Sequence, residues 1–249
     1  MMIKITEHCS MGCTHCMNNA TPNNKHMDFD TFKQVINFQK QYGGQFCIIT
    51  GGEPTEHPNF MSFISYACNF MIGYYITVTT NGLWMQNNPD KVKYLYDTYG
   101  KQLMFQVTND TRYYPVCIDK NHSIFTLDNV VMCDKVKHIY PQGRAVDNNI
   151  EWNSKASKCF NIRAITNQVS IKNLGIIIGM LAVKGKFCTP HIDIHGNIKL
   201  GESDLCPVCS HINKTHDDII KDILDFRCKQ CDNINGQLSQ EYRSIIGES

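Results

Sequence analysis

Three cysteines lie close together near the start of the chain, at Cys9, Cys13 and Cys16. Thiolates are soft ligands that select iron–sulfur clusters, zinc or copper(I), and cluster irons are characteristically held by cysteine. Three neighbouring cysteines leave one iron of a four-iron cluster without a local ligand. That iron is either bound by a distant cysteine or left open for a substrate, and the rest of the sequence has to distinguish the two.

Composition narrows the class of protein. The 249 residues fit one large domain, or one domain with a small appendage. The formal net charge of +1 gives no nucleic-acid footprint, which would show as clustered excess Lys and Arg. No apolar run approaches the roughly 18 residues of a membrane-spanning helix, and the N-terminus has no signal-peptide core. We therefore expect a cytoplasmic protein that neither spans a membrane nor binds nucleic acid.

The chain contains 13 cysteines, which is a high number for its length. Disulfides are rare in reducing compartments, so cysteines of a cytoplasmic protein indicate metal ligands or catalytic groups first. The odd number and the uneven spread also argue against a disulfide framework.

Strand and helix patterns alternate over the first 145 residues. Ile3 and Ile5 alternate with polar residues as in a short strand, and a helix is predicted from Asp28 or Asp30 to Gly43. Further strands are predicted at 46–49, 75–78, 103–107 and 136–140, and further helices at 59–69, 89–99 and 127–133. Such alternation predicts an α/β fold with a parallel sheet, either open or closed into a barrel.

Polar turns follow the predicted strands. Gly51-Gly52-Glu53-Pro54 follows the second strand, Thr80-Asn81-Gly82 the third and Thr108-Asn109-Asp110 the fourth. Parallel α/β folds place their ligand sites at the carboxyl ends of the strands. These turns are therefore candidates for ligand contacts.

The alternation stops near Asp147, and we place a domain boundary there, between residues 1–150 and residues 151–249. The second region contains a hairpin-like segment at 191–200. It also contains two Cys-x2-Cys pairs with eighteen residues between them, a spacing compatible with a zinc site. The cysteines of this region that are candidate metal ligands are Cys188, Cys206, Cys209, Cys228 and Cys231.

Three motifs of the first region occur in order on successive strand ends: the Cys-x3-Cys-x2-Cys segment, the Gly-Gly-Glu-Pro turn and Thr80-Asn81-Gly82. In this combination the region, over about residues 1–145, resembles the radical S-adenosylmethionine (SAM) enzymes. The resemblance implies a partial (β/α)6 TIM-type barrel, to which the chain adds a small cysteine-rich C-terminal subdomain.

The resemblance also implies a chemistry. In the family, a reduced [4Fe-4S] cluster on the three cysteines cleaves SAM to a 5′-deoxyadenosyl radical, which abstracts a hydrogen from the substrate. The open iron acts as a Lewis acid for the amino and carboxylate groups of SAM. An electron donor such as flavodoxin or ferredoxin is an implied partner.

Several residues are expected to bind SAM by the same resemblance. Gly51 and Gly52 have no Cβ, so they would let backbone approach the ligand closely, and Glu53 or the backbone near it would accept bonds from the ligand's ammonium. His15 takes the place of an aromatic residue that lies against adenine in many members, and the fork of Arg144 suits a carboxylate. The remaining predicted contacts, which also suit plain turn chemistry, are Pro54, Thr80, Asn81 and Thr108.

The second region resembles the SPASM or twitch extensions of radical SAM enzymes, which hold one or two auxiliary iron–sulfur clusters. The region is too short for the full SPASM set of cysteines, so we expect one auxiliary cluster held by four of the five cysteines named above. Zinc at these cysteines is the alternative.

Substrate class follows only by analogy. Auxiliary clusters are common in enzymes that modify peptides or proteins, which favours a peptide or protein over a small molecule. One alternative is an activase that installs a glycyl radical on a large partner, without an auxiliary cluster. Another is a non-enzymatic zinc-binding interaction module, in which the Gly-Gly-Glu-Pro and Thr-Asn-Gly turns would have no role.

Overall fold

The computed structural model describes residues 1–43, 45–136, 139, 142–151, 190–201 and 206–226. The strands found there are β1 (Met2–Thr6), β2 (Phe46–Gly51), β3 (Tyr75–Thr80), β4 (Leu103–Thr108), β5 (Val130–Cys133), β6 (Pro190–Ile192), β7 (Asn197–Leu200) and β8 (Val208–His211). They form one sheet in the order β5-β4-β3-β2-β1-β6-β7-β8.

Helices connect most of the parallel strands. They are α1 (Phe29–Tyr42), α2 (Phe60–Phe70), α3 (Leu83–Asn87), α4 (Pro89–Tyr99), α5 (Arg144–Asp147) and α6 (His216–Asp225), with 3-10 helices at Pro54–Glu56, Gly100–Gln102 and Ser123–Thr126. In the part of the chain that the structure describes, no helix combines the length and apolarity needed to cross a membrane.

The sheet is predominantly parallel. Strands β1 to β5 run parallel to one another, and β6 pairs in parallel with the free edge of β1. Strands β7 and β8 are antiparallel, so the hairpin predicted at 191–200 is confirmed as β6 and β7. The predicted α/β class is confirmed, and the hairpin continues the sheet of the first region. The boundary near residue 150 stays a prediction, since 152–189 lie outside the described residues.

Strand alternation separates the core from a polar face. Successive side chains of a strand point to opposite faces, and Ile3, Ile49 and Val78 are fully buried in the main apolar core. Helices α1 and α2 cover this core, with the rings of Phe32 and Phe63 stacked at 4.2 Å. The opposite face of β2 to β5 carries the polar residues that line the site described below.

The limits of α1 agree with the sequence pattern. The Asp28 carboxylate accepts a hydrogen bond from Thr31 N at 2.8 Å, and Gly43 ends the helix with a φ of 81°. A side-chain N-cap of this kind contributes about 1 kcal/mol, and glycine takes the left-handed conformation without the steric cost of a Cβ.

The prediction of a helix at 127–133 is wrong. The chain forms a 3-10 helix at Ser123–Thr126 and then enters β5, whose residues pair with β4 from Phe105↔Val130 to Thr108↔Cys133. Val130 and Val131 favour a strand because their branched side chains pack well on a pleated surface. The fifth strand therefore occurs earlier than predicted, and most of 136–140 lies outside the described residues. Strand β8 and helix α6 were not predicted.

Candidate functional site

A cavity of about 410 Å³ opens at the carboxyl ends of the parallel strands. All three motifs reach it, as expected where the ends of parallel strands share one edge of the sheet. The predicted site residues that line it are Cys9, Cys13, His15, Cys16, Gly51, Gly52, Glu53, Thr80, Asn81, Thr108 and Arg144. Pro54 is buried in the 3-10 helix that follows Glu53.

The three cysteine thiols are free and lie along this cavity. Cys9 and Cys13 are buried and Cys16 is half-buried. Burial raises the pKa of Cys9 to about 11 and that of Cys13 to about 12, because desolvation disfavours the thiolate. Apolar side chains pack around the thiols, and these are Met11, Ala20, Leu83 and Tyr114. The three thiols therefore lie in a largely apolar part of the cavity wall.

Gly51 and Gly52 permit a close approach within the chain itself. A Cβ on Gly51 would collide with the carbonyl oxygen of Thr6, and one on Gly52 with the carbonyl oxygen of His8. Gly52 N donates to Thr6 O at 2.7 Å and Glu53 N donates to His8 O at 2.8 Å. The loop that follows β1 and carries Cys9, Cys13 and Cys16 is called the cysteine loop below. The two glycines therefore allow the end of β1 and the start of this loop to pack against the end of β2.

Glu53 joins two strand ends through its carboxylate. Its Oε1 accepts hydrogen bonds from Thr55 N and Thr55 Oγ1 at 3.2 and 2.6 Å, and from Thr80 Oγ1 at 2.7 Å. Its Oε2 accepts one from Asn81 N at 2.7 Å. Burial raises the pKa of this carboxyl, while the bonds from Thr55, Asn81 and Thr80 act in the opposite direction.

The ends of β3 and β4 contribute polar groups to the cavity. Asn81 Oδ1 accepts from Leu83 N at 2.9 Å, as in an Asx turn, whereas its buried Nδ2 has no hydrogen-bond partner in the described chain. Thr108 lies opposite Cys133 in the register of β4 and β5, and both line the cavity. Asn109, by contrast, is buried behind the cavity, where Nδ2 donates to Val116 O at 3.3 Å.

Arg144 clamps the cysteine loop. Its Nε donates to Cys13 O and its Nη1 to Ala20 O, both at 2.8 Å, and its backbone N donates to Cys16 O at 2.9 Å. Gly143 precedes it with a φ of 60°, in a place where a Cβ would meet Cys16 O at 2.5 Å. The buried Nη2 of Arg144 has no hydrogen-bond partner among the described residues.

His15 packs against two tyrosines that the sequence motifs did not mark as cofactor contacts. Its ring centroid is 5.0 Å from that of Tyr113 and 5.4 Å from that of Tyr114. Burial lowers the pKa of His15 to about 4, so the ring is neutral at pH 7. Thr14 N donates to Tyr113 O at 3.0 Å, which ties the loop after β4 to the cysteine loop. In the sequence, the pattern that could have pointed to these contacts is the adjacent pair of tyrosines after the end of a predicted strand.

Two of the five candidate cysteines of the second region are described. Cys206 precedes β8 and is half-buried. Cys209 lies within β8, where its Sγ donates to Ile198 O at 3.2 Å and its side chain packs against the main core. Cys188, Cys228 and Cys231 lie outside the described residues.

The comparison with protein-family models agrees with the arrangement of the motifs. Residues 3–123 match the model described as the Radical SAM superfamily. This stretch carries most of β1, all of β2 to β4, the three cysteines and all three polar turns. Residues 3–123, just under half of the chain, are therefore identified as a radical SAM domain.

Relatives of the radical SAM domain bear names that refer to different kinds of molecule. The GTP 3′,8-cyclase of Shewanella denitrificans is 23% identical over 124 residues, which are 45% of this chain and 37% of that enzyme. The subtilosin biosynthesis protein AlbA of Bacillus subtilis, named for an antilisterial bacteriocin, is 27% identical over 109 residues, 43% of this chain and 23% of AlbA. The chain thus covers well under half the length of these relatives.

A likeness of fold extends further along the chain. The crystal structure of BtrN in complex with AdoMet and 2-DOIA superposes with a TM-score of 0.54, at 15% identity, and covers 98% of this chain and 88% of BtrN. At that identity the likeness concerns the fold, which is the partial barrel expected for a radical SAM domain.

Proposed function

We propose that this chain is a radical SAM enzyme whose [4Fe-4S] cluster is bound by Cys9, Cys13 and Cys16. Held by these three thiolates, a reduced cluster would supply the one electron for cleavage of SAM into methionine and a 5′-deoxyadenosyl radical, which would take a hydrogen atom from the substrate. The observation that carries the proposal is that three free thiols and Glu53 line one cavity inside a radical SAM domain.

The polar turns at the same cavity favour the enzyme over the zinc-binding module. Glu53 and Asn81 line the cavity together with the three thiols, and a structural zinc site would leave both turns without a role. Cysteine thiolates are also the characteristic ligands of a four-iron cluster.

The cavity offers partners for a bound SAM. Its volume of about 410 Å³ falls within the range of about 300–1,000 Å³ for small-molecule sites. Glu53 Oε2 accepts one hydrogen bond within the described chain and keeps acceptor capacity for an ammonium group. Arg144 Nη2 and Asn81 Nδ2 are buried donors with no partner among the described residues, and they suit a carboxylate or a ribose hydroxyl.

The C-terminal cysteines support one auxiliary cluster. Cys209 is half-buried, packs against the main core and donates from its Sγ to Ile198 O at 3.2 Å. We therefore assign the four ligands to Cys188, Cys206, Cys228 and Cys231, with zinc at the same residues as the alternative.

An auxiliary cluster favours a peptide or protein substrate. The relatives bear names of both kinds, GTP and a bacteriocin, so a small-molecule substrate is the second candidate and a glycyl-radical activase the third. The electron donor in this proposal is a protein such as flavodoxin or ferredoxin, and the cytoplasmic location stays a prediction.

The test measures iron, acid-labile sulfide and 5′-deoxyadenosine on anaerobically reconstituted protein. The wild type is expected to hold about eight irons per chain and to form 5′-deoxyadenosine from SAM when reduced. A variant with Cys9, Cys13 and Cys16 all replaced by Ala is expected to keep about four irons and to form no 5′-deoxyadenosine. Cys117→Ala, which removes an exposed free thiol, is the matched control. Little iron in the wild type would refute the proposal.

A further inference from the structure

Glu56 ends the 3-10 helix Pro54–Glu56, and its carboxylate reaches the start of the cysteine loop. Its Oε2 accepts a hydrogen bond from Ser10 N at 2.9 Å, and its Oε1 accepts one from Ser10 Oγ at 2.7 Å. The same Oε2 lies 3.1 Å from His8 Nε2. One carboxylate therefore holds both residues that flank Cys9.

Cys9 lies between these two anchors and lines the cavity. His8 and Ser10 contact Glu56 instead, and Glu56 is not among the residues that line the cavity. Glu56 therefore holds the chain on both sides of Cys9 without lining the space in which the cluster would bind.

The two ends of this short segment are anchored differently. On the N-terminal side the main chain is paired, since His8 O accepts from Glu53 N at 2.8 Å and Cys9 N donates to Thr21 O at 3.2 Å. On the C-terminal side Ser10 is exposed, and both its backbone N and its hydroxyl are tied back to Glu56. Hydrogen bonds to an ionised carboxylate are stronger than neutral ones, and the Glu56 side chain is only 21% exposed.

We infer that Glu56 is a positioning residue for the cluster, which keeps the thiol of Cys9 at the cavity wall through Ser10 and His8. The inference rests on the proposed function, because it assigns Cys9 to the cluster. Groups that orient metal ligands through hydrogen bonds commonly change metal affinity by about 10- to 100-fold. Glu56 would act in this way without touching the metal.

The test compares the rates at which reconstituted proteins lose iron to a chelator under anaerobic conditions, together with the electron paramagnetic resonance spectrum of the reduced cluster. Glu56→Ala is expected to lose iron about tenfold faster than the wild type and to show an altered spectrum. Glu56→Gln keeps an oxygen that can accept from Ser10 N, so its rate should lie nearer the wild type. Glu7→Ala is the control, since Glu7 pairs with Lys4 at 3.6 Å.

The outcomes separate this inference from the proposed function. A wild type that holds its iron, with Glu56→Ala losing iron at the same rate and giving the same spectrum, would overturn the inference alone. A wild type that binds little iron would overturn both. If circular dichroism shows that Glu56→Ala does not fold, Ser10→Ala is used in its place. That variant removes only the hydroxyl bond, so it should accelerate iron loss by a smaller factor, and an unchanged rate would refute the inference.

Discussion

The guanidinium of Arg144 donates from Nε to the carbonyl oxygen of Cys13 at 2.8 Å, across 131 positions of the chain. Together with the bond from Nη1 to Ala20 O, it fixes the middle and the end of the cysteine loop from one side chain. We expect Arg144→Lys to lower the free energy of unfolding by about 1–3 kcal/mol, because an ammonium group cannot reproduce the planar fork.

The measurement for Arg144→Lys is denaturant unfolding of the apoprotein, with iron content after reconstitution as a second readout. Arg112→Lys is the matched control, since Arg112 is half-exposed and pairs with the Asp110 carboxylate rather than with backbone carbonyls of the cysteine loop. Equal stability and equal iron content for the two variants would contradict a clamping role for Arg144.

Gly52 is the position where an added methyl group would do most damage to the site. Its Cβ would meet the backbone of His8, which cannot move without shifting Cys9. We expect Gly52→Ala to cost about 1–3 kcal/mol of stability and to reduce iron incorporation. Gly73→Ala is the control, because Gly73 has open space around it and its cost is limited to the strain of its φ of 86°. Thermal unfolding followed by circular dichroism compares them, and similar losses would show that crowding at Gly52 is unimportant.

Local patterns predicted the parts of the fold that depend on local residues. The limits of α1 follow from Asp28 and Gly43, which act within one turn of the helix ends. The polar turns were located correctly because they follow buried strands. The segment 127–133 was misread because a short apolar run does not distinguish a strand from a helix by its periodicity.

Contacts between distant segments were beyond the reach of those patterns. The loop of Tyr113 and Tyr114 contacts His15 because β1 and β4 lie in one sheet. The residues of either loop do not by themselves indicate that the two loops are close. Gly51 and Gly52 were expected to let backbone approach a ligand closely, and this stays a prediction. The structure adds a second role, since both glycines also let the backbone of β1 and the residues after it approach closely.

The Glu53 carboxylate accepts four hydrogen bonds, and both of its oxygens act as acceptors. An amide cannot replace it, because one of the two groups of an amide is a donor. In Glu53→Gln one oxygen becomes an NH₂ group, which would face either the Asn81 N–H or the cluster of Thr55 and Thr80 donors. We expect a loss of about 1–3 kcal/mol for the buried donor left unpaired. Urea unfolding at pH 7 measures it, with Glu7→Gln as the control at a carboxylate that is 36% exposed. Unchanged stability would mean that the turn tolerates an amide.

His191 should make the protein sensitive to acid. The ring is buried in β6, neither nitrogen has a hydrogen-bond partner in the described chain, and burial together with Lys4 and Lys199 lowers its pKa to about 3. Between the ordinary pKa of about 6.5 and this value, the unfolded chain binds a proton that the folded chain does not. Stability is therefore expected to fall as the pH drops from about 6.5 towards 3.

The check on His191 is a difference between two proteins, because carboxylates also titrate in acid. His191→Leu should lose less stability than the wild type over the same pH interval, as measured by urea unfolding at several pH values. Parallel curves for the two proteins would show that His191 does not cause the acid sensitivity.

Cys206 and Cys209 belong to one Cys-x2-Cys pair, yet they are expected to differ in function. Both are half-buried. Cys209 packs against the main core and its Sγ donates to Ile198 O, whereas Cys206 precedes β8. In the background that lacks Cys9, Cys13 and Cys16, Cys206→Ala should abolish the remaining iron, and Cys209→Ala should retain about four irons with some loss of stability. Iron and zinc analysis of both proteins decides the matter. Loss of the metal in Cys209→Ala alone would show that Cys209, and not Cys206, is the ligand. Zinc in place of iron in the Cys209→Ala protein would show that the same four residues hold a structural zinc ion and not an auxiliary cluster.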